Sequence, residues 1–161
     1  MQHKTLIVMD IQNDITKNYK EIIDNVNMAI EKAIAQGMSI VYIKHNNVSE
    51  KTRTFKPDTH GEELVPELKI VSENIFTKTK ASAMTCEPFM DFLTKNEINE
   101  IYMTGADATA CVKSTCFNLC KAGYNVTVLS DCVTSYDKRK IEEMLGYYKD
   151  QGCKIIGVTE F

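Results

Sequence analysis

Short runs of apolar residues alternate with segments of helical periodicity along the whole chain, and this alternation restricts the fold more than any other feature. The apolar runs predict strands at residues 5–9, 39–43, 74–76, 101–103, 125–129 and 153–158. Apolar side chains three and four positions apart predict helices at 21–36, 88–96, 111–122 and 138–151. Continuous apolar runs are typical of strands buried on both faces of a parallel sheet. We therefore expect an α/β fold, a single domain over residues 1–161, with a six-stranded, mostly parallel sheet and helices on both faces.

Charge and hydropathy argue against several classes of partner. The 161-residue chain has a formal net charge of −3 and no basic stripe, so neither nucleic acid nor an anionic membrane is an expected partner. No apolar run approaches membrane-spanning length, and the N-terminus passes into a strand without signal-peptide features, which predicts a cytoplasmic protein. No Gly-x-Gly-x-x-Gly or Walker-type loop follows a predicted strand, so a nucleotide-binding module is the weakest interpretation.

The six cysteines are expected to be reduced thiols, because the chain is too large for a disulfide-held mini-protein. They are Cys86, Cys111, Cys116, Cys120, Cys132 and Cys153. No Cys-x-x-Cys pair is present in the sequence, which argues against zinc-ribbon and thioredoxin-type sites. Cys116 and Cys120 share a helix face and are interpreted as small core residues.

Reactive side chains stand at the carboxyl ends of the predicted strands, where open parallel sheets bind ligands. In chain order they are Asp10, Lys44 and His45, Lys78 and Lys80, Cys111, and Asp131. Cys111 also begins a predicted helix, whose free N–H groups and partial positive charge favour a thiolate and offer donors to an oxyanion. An acid, a lysine and a cysteine at one sheet edge predict nucleophilic attack on a carbonyl carbon.

Four segments, in order, resemble motifs of the isochorismatase-like cysteine hydrolase superfamily, which includes nicotinamidases and N-carbamoylsarcosine amidase. They are residues 6–14 with an Asp-x-Gln-x-Asp ending, 78–84 with Lys-x-x-x-Ser-Ala, 105–112 with Gly-x-x-x-x-x-Cys-Val, and 122–126 followed by Asp131. The resemblance spans nearly the whole chain and implies a Rossmann-type three-layer sandwich. It also implies a homo-oligomer, either a dimer or a tetramer.

The resemblance assigns roles to individual positions. Asp10 corresponds to the general base, Cys111 to the nucleophile, and Lys78 to the catalytic lysine, with Lys80 as the competing candidate. The family places a cis peptide bond in the nucleophile turn, here between Ala106 and Asp107. That bond would direct the N–H of Asp107, with that of Cys111, toward the oxyanion. The expected substrate pocket contains Gln12, Ile15, His45, Met84 and Ala108.

The chain departs from the nicotinamidase pattern at the expected metal ligands. Nicotinamidases carry Asp-x-His after the second strand and a later histidine, whereas this chain has Lys-His-Asn-Asn at 44–47. Its Asp-x-His, Asp58 to His60, falls in a long polar loop over residues 45–65. We therefore expect neither a metal nor another cofactor. Met84 replaces a usual aromatic residue and Asp107 adds a carboxyl group to the nucleophile turn, and either change could alter the substrate.

Together these features predict a hydrolase that cleaves a C–N bond of a small amide or ureido compound through a thioester on Cys111. The cysteine itself argues against isochorismatase activity, since true isochorismatases lack it. Two alternatives stay open: a metal-dependent nicotinamidase-type amidase, and a reactive-thiol binding or redox-sensing protein without turnover.

Overall fold

The computed structural model describes residues 3–15 and 19–161. The strands are β1 (Lys4–Met9), β2 (Ser39–His45), β3 (Ile75–Lys78), β4 (Glu100–Ala106), β5 (Asn125–Thr134) and β6 (Lys154–Ile156). The α-helices are α1 (Lys20–Ala35), α2 (Glu87–Lys95), α3 (Cys111–Lys121) and α4 (Ile141–Asp150). The strands form one sheet in the order β3-β2-β1-β4-β5-β6, and every neighbouring pair is parallel. The predicted α/β architecture is confirmed.

Alternate residues of the central strands enter two separate cores. Ile7 and Met9 of β1 pack in the core that also holds buried residues of α2, α3 and α4. Leu6 and Val8 pack in the opposite core, with the buried face of α1. Because neighbouring residues of a strand face opposite sides of the sheet, helices on both faces require apolar residues at every position. The continuous apolar runs of the sequence follow directly from this three-layer arrangement.

Several strands extend further toward their carboxyl ends than their apolar runs indicate. β3 includes Lys78 as its last residue, so this lysine ends the strand and does not follow it. β5 continues to Thr134, because its pairing with β4 shifts register between Met103 and Gly105 and then resumes. Asp131 therefore lies inside β5. It is exposed, and its carboxylate accepts a hydrogen bond from the N–H of Val158 at 2.9 Å, which removes it from the predicted cluster of strand-end residues.

The helix predicted at 138–151 begins later than expected. A 3-10 turn, Lys138–Lys140, precedes α4, and the side chain of Asp137 caps that turn. β6 is shorter than its apolar run, since Val158 belongs to a second 3-10 turn. In the described ranges, no helix is both long and apolar enough to cross a membrane.

The carboxyl ends of β1 and β4 touch at Gly105. This residue has a φ of +118°, and a Cβ atom there would lie 2.2 Å from the carbonyl oxygen of Met9. Only glycine fits such an approach of two backbones. Asp10, immediately after Met9, has a φ of +54°, a conformation that aspartate tolerates better than most residues. The tight contact brings Asp10 beside the turn that leads to Cys111.

The connection from β2 to β3 is a long ordered loop, residues 46–74, that lies against residues 11–15. Gln12 and Leu64 form an antiparallel bridge, and the N–H of Asp14 donates to the carbonyl of Gly61 at 2.9 Å. The Asp14 carboxylate accepts from the N–H of Phe55 at 2.9 Å. The last residue of the Asp-x-Gln-x-Asp motif thus anchors this loop at the edge of the sheet that carries Asp10.

Candidate active site

Asp10, Lys78 and Cys111 meet at the carboxyl edge of the sheet. The ammonium of Lys78 lies 3.1 Å from Oδ2 of Asp10, and these two side chains are 0% and 2% exposed. A carboxylate oxygen of Asp10 and the sulfur of Cys111 lie within 4.8 Å of each other. Cys111 is partly exposed, whereas the ion pair close to it is buried. Lys80 is exposed to solvent, which leaves Lys78 as the lysine of the site.

The thiol of Cys111 is protonated at rest. Burial and then the negative charge of Asp10 raise its pKa to about 12, although the nearby Lys78 ammonium opposes the rise. The helix start, which favours a thiolate, is therefore not enough to deprotonate Cys111 here. A helix N-terminus contributes about 1 kcal/mol or less at most surface sites, which is smaller than the effects of burial and a neighbouring carboxylate. A reaction at this sulfur would therefore need a base close to it.

Asp10 is suited to accept the proton. Burial raises the pKa of its carboxyl group, and the positive charge of Lys78 opposes this rise. Its Oδ1 is buried and has no hydrogen-bond partner among the described residues. A buried carboxylate oxygen without a partner is costly unless another group uses it. The Cys111 thiol is close enough to be that group.

The turn before Cys111 is held by the carboxylate of Asp107. Its Oδ1 accepts from the N–H of Thr109 at 2.8 Å and from the Thr109 hydroxyl at 2.9 Å, and its Oδ2 accepts from the N–H of Tyr136 at 3.0 Å. The carboxyl group thus ties the turn to the end of β5 and is not presented to a substrate. The Ala106–Asp107 peptide bond is cis. The N–H groups of Asp107 and Cys111 make no hydrogen bond within the described part of the chain.

His45 contacts Lys78 from the neighbouring strand. Nδ1 of His45 lies 2.9 Å from the Lys78 ammonium, and Nε2 lies 2.7 Å from Oδ1 of Asn47. An ammonium group only donates, so Nδ1 accepts and the ring proton is on Nε2, which donates to Asn47. Burial lowers the pKa of His45, and the charge of Lys78 lowers it further. The imidazole is therefore neutral.

Gln12, expected in the substrate pocket, instead holds the backbone of His45. Its Oε1 accepts from the N–H of His45 at 2.8 Å, and its Nε2 donates to the carbonyls of His45 at 2.9 Å and Glu62 at 2.8 Å. The side chain is fully buried. These bonds use both N–H donors of the amide, and Oε1 already accepts one hydrogen bond, so the side chain holds the backbone of His45 in place.

Of the other expected pocket residues, one is fully buried in the core and two are partly buried. Ala108 is fully buried, and its carbonyl accepts from the Tyr148 hydroxyl. Ile15 packs on the edge of the core beneath α1. Met84 is partly buried and borders a shallow cleft beside the C-terminal half of α3, whereas Cys111 is the first residue of that helix. The sequence did not indicate whether these side chains face a substrate pocket or pack against the core.

A metal ion does not fit the donor set while Lys78 is in place. Asp10, His45 and Cys111 each bring one ligand atom within 4.8 Å of the others, which is close enough to share a cation. The Lys78 ammonium, however, already uses Oδ2 of Asp10 and Nδ1 of His45. A cation there would need the same lone pairs and would stand beside a buried positive charge. His60, of the Asp-x-His pair in the loop, is largely exposed and contacts Glu63.

Comparison with known proteins places the chain in a family. The isochorismatase domain model matches residues 4–160. An uncharacterised isochorismatase family protein of Bacillus subtilis, YrdC, is 26% identical over 146 residues, which is 86% of this chain and 77% of that protein.

Solved structures of similar fold include three hydrolases. An isochorismatase-like hydrolase from Alkaliphilus metalliredigens has a TM-score of 0.89 at 20% identity, covering 98% of this chain and 96% of its own. The pyrazinamidase of Pyrococcus horikoshii, in complex with zinc, has a TM-score of 0.87 at 25% identity, covering 97% of this chain and 99% of its own. N-carbamoylsarcosine amidase from Thermoplasma acidophilum has a TM-score of 0.87 at 19% identity, covering 98% of both chains. Because the family model matches almost the whole of this chain, the chain belongs to the isochorismatase family.

Proposed function

We propose that the protein is a cysteine hydrolase that cleaves a C–N bond of a small amide or ureido compound through a thioester intermediate. The observation that carries this proposal is the buried Lys78–Asp10 ion pair, whose carboxylate lies within 4.8 Å of the sulfur of a protonated, partly exposed Cys111. Membership of a hydrolase family supports it, as does the similarity to two structures named as amidases.

In the proposed first step, Asp10 removes the proton of Cys111 as the sulfur attacks the carbonyl carbon. The carbonyl oxygen becomes an oxyanion, to which the free N–H groups of Asp107 and Cys111 can donate. Collapse of this intermediate breaks the C–N bond, and the leaving nitrogen takes the proton held on Asp10. Water then attacks the thioester while Asp10 takes its proton. The C–S bond breaks and releases the acid product, and the departing sulfur takes the proton from Asp10, which restores the thiol and the carboxylate.

Lys78 has a defined electrostatic role in this sequence. Before attack the negative charge is on Asp10, and during attack it moves to the sulfur and then to the oxyanion. The ammonium stands beside Asp10 and influences the pKa values of both Asp10 and Cys111. It therefore compensates the negative charge wherever that charge lies, and no charge has to move into solvent.

A panel of small primary amides and ureido compounds tests the proposed activity. We expect ammonia release from at least one member, abolished by Cys111→Ala and retained after prolonged dialysis against a chelator. Loss of activity on chelation, restored by added zinc, would support the metal-dependent alternative. Alkylation at Cys111 without turnover of any compound would support the reactive-thiol alternative.

The expected dimer or tetramer stays a prediction that size-exclusion chromatography with light scattering can test.

We also propose that His45 is a positioning residue, which holds the Lys78 ammonium toward Asp10. Loss of a hydrogen bond from a charged donor costs about 1.5–3 kcal/mol, so His45→Leu is expected to lower kcat at least about tenfold. KM should change little, because the hydrogen bond that His45 makes to the proposed catalytic residues is the one to Lys78. The measurement is a steady-state comparison on the best substrate of the panel.

Two matched variants control this experiment. His45→Gln keeps a side-chain acceptor and is expected to recover part of kcat, while His60→Leu removes an exposed histidine and should leave both constants unchanged. A purely structural role predicts lower stability with kcat per folded molecule unchanged. That result in His45→Leu would overturn the proposal.

A further inference from the structure

Three thiols meet at the far end of α3, away from the active site. Cys116 and Cys120 stand one turn apart on this helix, and Cys153 immediately precedes β6. The sulfurs of Cys120 and Cys153 lie 3.3 Å apart, and no cysteine forms a disulfide. The interpretation of Cys116 as a core residue is supported, since it is fully buried. Cys120 is only partly buried and faces a second thiol.

The pKa values in this cluster differ between the thiols, and one of them is lowered, unlike that of Cys111. Hydrogen bonds from the thiols of Cys116 and Cys120 lower the pKa of Cys153 to about 7, although burial opposes this effect. Burial, and then the hydrogen bond to Cys153, raise the pKa of Cys120 to about 12. Cys153 is thus the favoured thiolate, and Cys120 is its protonated partner. A thiolate next to a thiol is the arrangement required for thiol oxidation to a disulfide.

The pair can also be reached from solvent. Cys120 lines a surface cleft together with Phe117, Asn118, Lys121 and Gln151. Cys153 is buried behind it, with 5% of its surface exposed. A small oxidant such as hydrogen peroxide is therefore expected to reach the pair along the exposed side of Cys120.

We propose that Cys120 and Cys153 form a redox-active dithiol, which a hydroperoxide converts to an intrachain disulfide. The Cys153 sulfur attacks the O–O bond, which breaks. One oxygen stays on the sulfur as a sulfenic acid, and the other leaves as water or an alcohol with the proton that the Cys153 thiol gave up. The Cys120 sulfur then displaces the hydroxyl group, its proton leaves with the second water, and the S–S bond forms. The two sulfurs together give up two electrons, and the peroxide accepts them. From 3.3 Å the sulfurs need to approach by only about 1.3 Å to reach bonding distance.

This site is independent of the proposed amide hydrolysis. Cys120 lies nine residues beyond Cys111 on the same helix, about 13 Å along its axis at 1.5 Å per residue. The disulfide would join the end of α3 to the start of β6, and no group proposed for catalysis takes part. Its test therefore does not depend on a substrate.

The test uses full-length Cys111→Ser protein, in which peroxide cannot modify the proposed nucleophile. After treatment with hydrogen peroxide and denaturing alkylation, we expect a loss of two hydrogen masses and two fewer alkylated cysteines, both reversed by dithiothreitol. Trypsin should yield a cross-link between residues 114–121 and 150–154. The first of these peptides contains both Cys116 and Cys120, so fragmentation within it is needed to identify the bonded sulfur.

Cys120→Ala and Cys116→Ala in the Cys111→Ser background form a matched pair on one helix. The cross-link should disappear in Cys120→Ala and persist in Cys116→Ala. If the fully buried Cys116 site does not tolerate alanine, fragmentation of the parent peptide makes the same assignment. Absence of the cross-link in Cys111→Ser protein, its persistence in Cys120→Ala, or a bond mapped to Cys116 would each overturn the proposal.

Discussion

Cys111→Ala is expected to lower ammonia release by at least about a thousandfold, because the proposed thioester cannot form without the sulfur. The side chain is small and partly exposed, so the free energy of unfolding should change by no more than about 1 kcal/mol. Steady-state turnover on the best amide and denaturant unfolding measure the two effects separately. Loss of activity with an intact fold is the signature of a removed nucleophile.

Cys120→Ala is the matched control for this change. It removes a thiol from the same helix, outside the site, and under reducing conditions kcat should stay within about twofold of the wild type. Acid quenching of the wild-type enzyme during turnover should also leave an acyl mass on the peptide that contains Cys111. Undiminished hydrolysis by Cys111→Ala, or an acyl group mapped to a different cysteine, would contradict the mechanism.

The sheet was predictable because burial on both faces leaves a pattern in one strand at a time. Where the strands end was less predictable. β5 continues past a register shift opposite Met103 and Gly105, and that shift depends on the partner strand, which the local sequence of residues 125–134 does not encode. Asp131 was misplaced for this reason. Without knowledge of how the strand pairs with its neighbour, a polar residue inside the strand looks in the sequence like the end of the strand.

The acid, the lysine and the cysteine of the site were identified from their places in motifs, whereas their protonation states depend on burial. A helix start favours a thiolate, but the surroundings of Cys111 were needed to show that burial and Asp10 outweigh it. His45 illustrates a missed contact. It pairs with Lys78 across β2 and β3, so its role depends on a register between two strands whose connection is a long loop. Knowledge of that register would have revealed the contact.

Lys78→Met is expected to reduce kcat by at least about a hundredfold, because the developing thiolate and oxyanion lose their compensating charge. It should also change the pH dependence of the remaining activity. The charge of Lys78 holds down the pKa of Asp10 against the effect of burial. Without it that pKa rises further, a larger fraction of Asp10 is protonated at a given pH, and the acid limb of kcat/KM moves to higher pH.

The stability of this variant should depend on pH in a direction that follows from the same carboxyl group. In Lys78→Met, folded Asp10 binds its proton more tightly than unfolded Asp10 does. The free energy of unfolding is therefore highest below the unfolded pKa and falls as the pH rises toward the raised folded pKa. Breaking a buried ion pair costs about 3–5 kcal/mol when the remaining group is charged, so the loss of stability should approach this range at pH 8 and be smaller at pH 5.

Urea unfolding at pH 5 and pH 8, with pH–rate profiles, measures both effects, and two variants separate them. Lys80→Met removes an exposed lysine two residues away and should match the wild type in rate and stability. Asp10→Asn with Lys78→Met leaves no buried charge, so most of the stability lost at pH 8 should return while activity stays absent. Two results together would show that Lys78 is not electrostatically coupled to Asp10. The acid limb of kcat/KM in Lys78→Met would match that of the wild type, and its free energy of unfolding would differ between pH 5 and pH 8 by the same amount as in the wild type. The place of Lys78 in the proposed mechanism would then be lost, because that place rests on the charge it supplies beside the base.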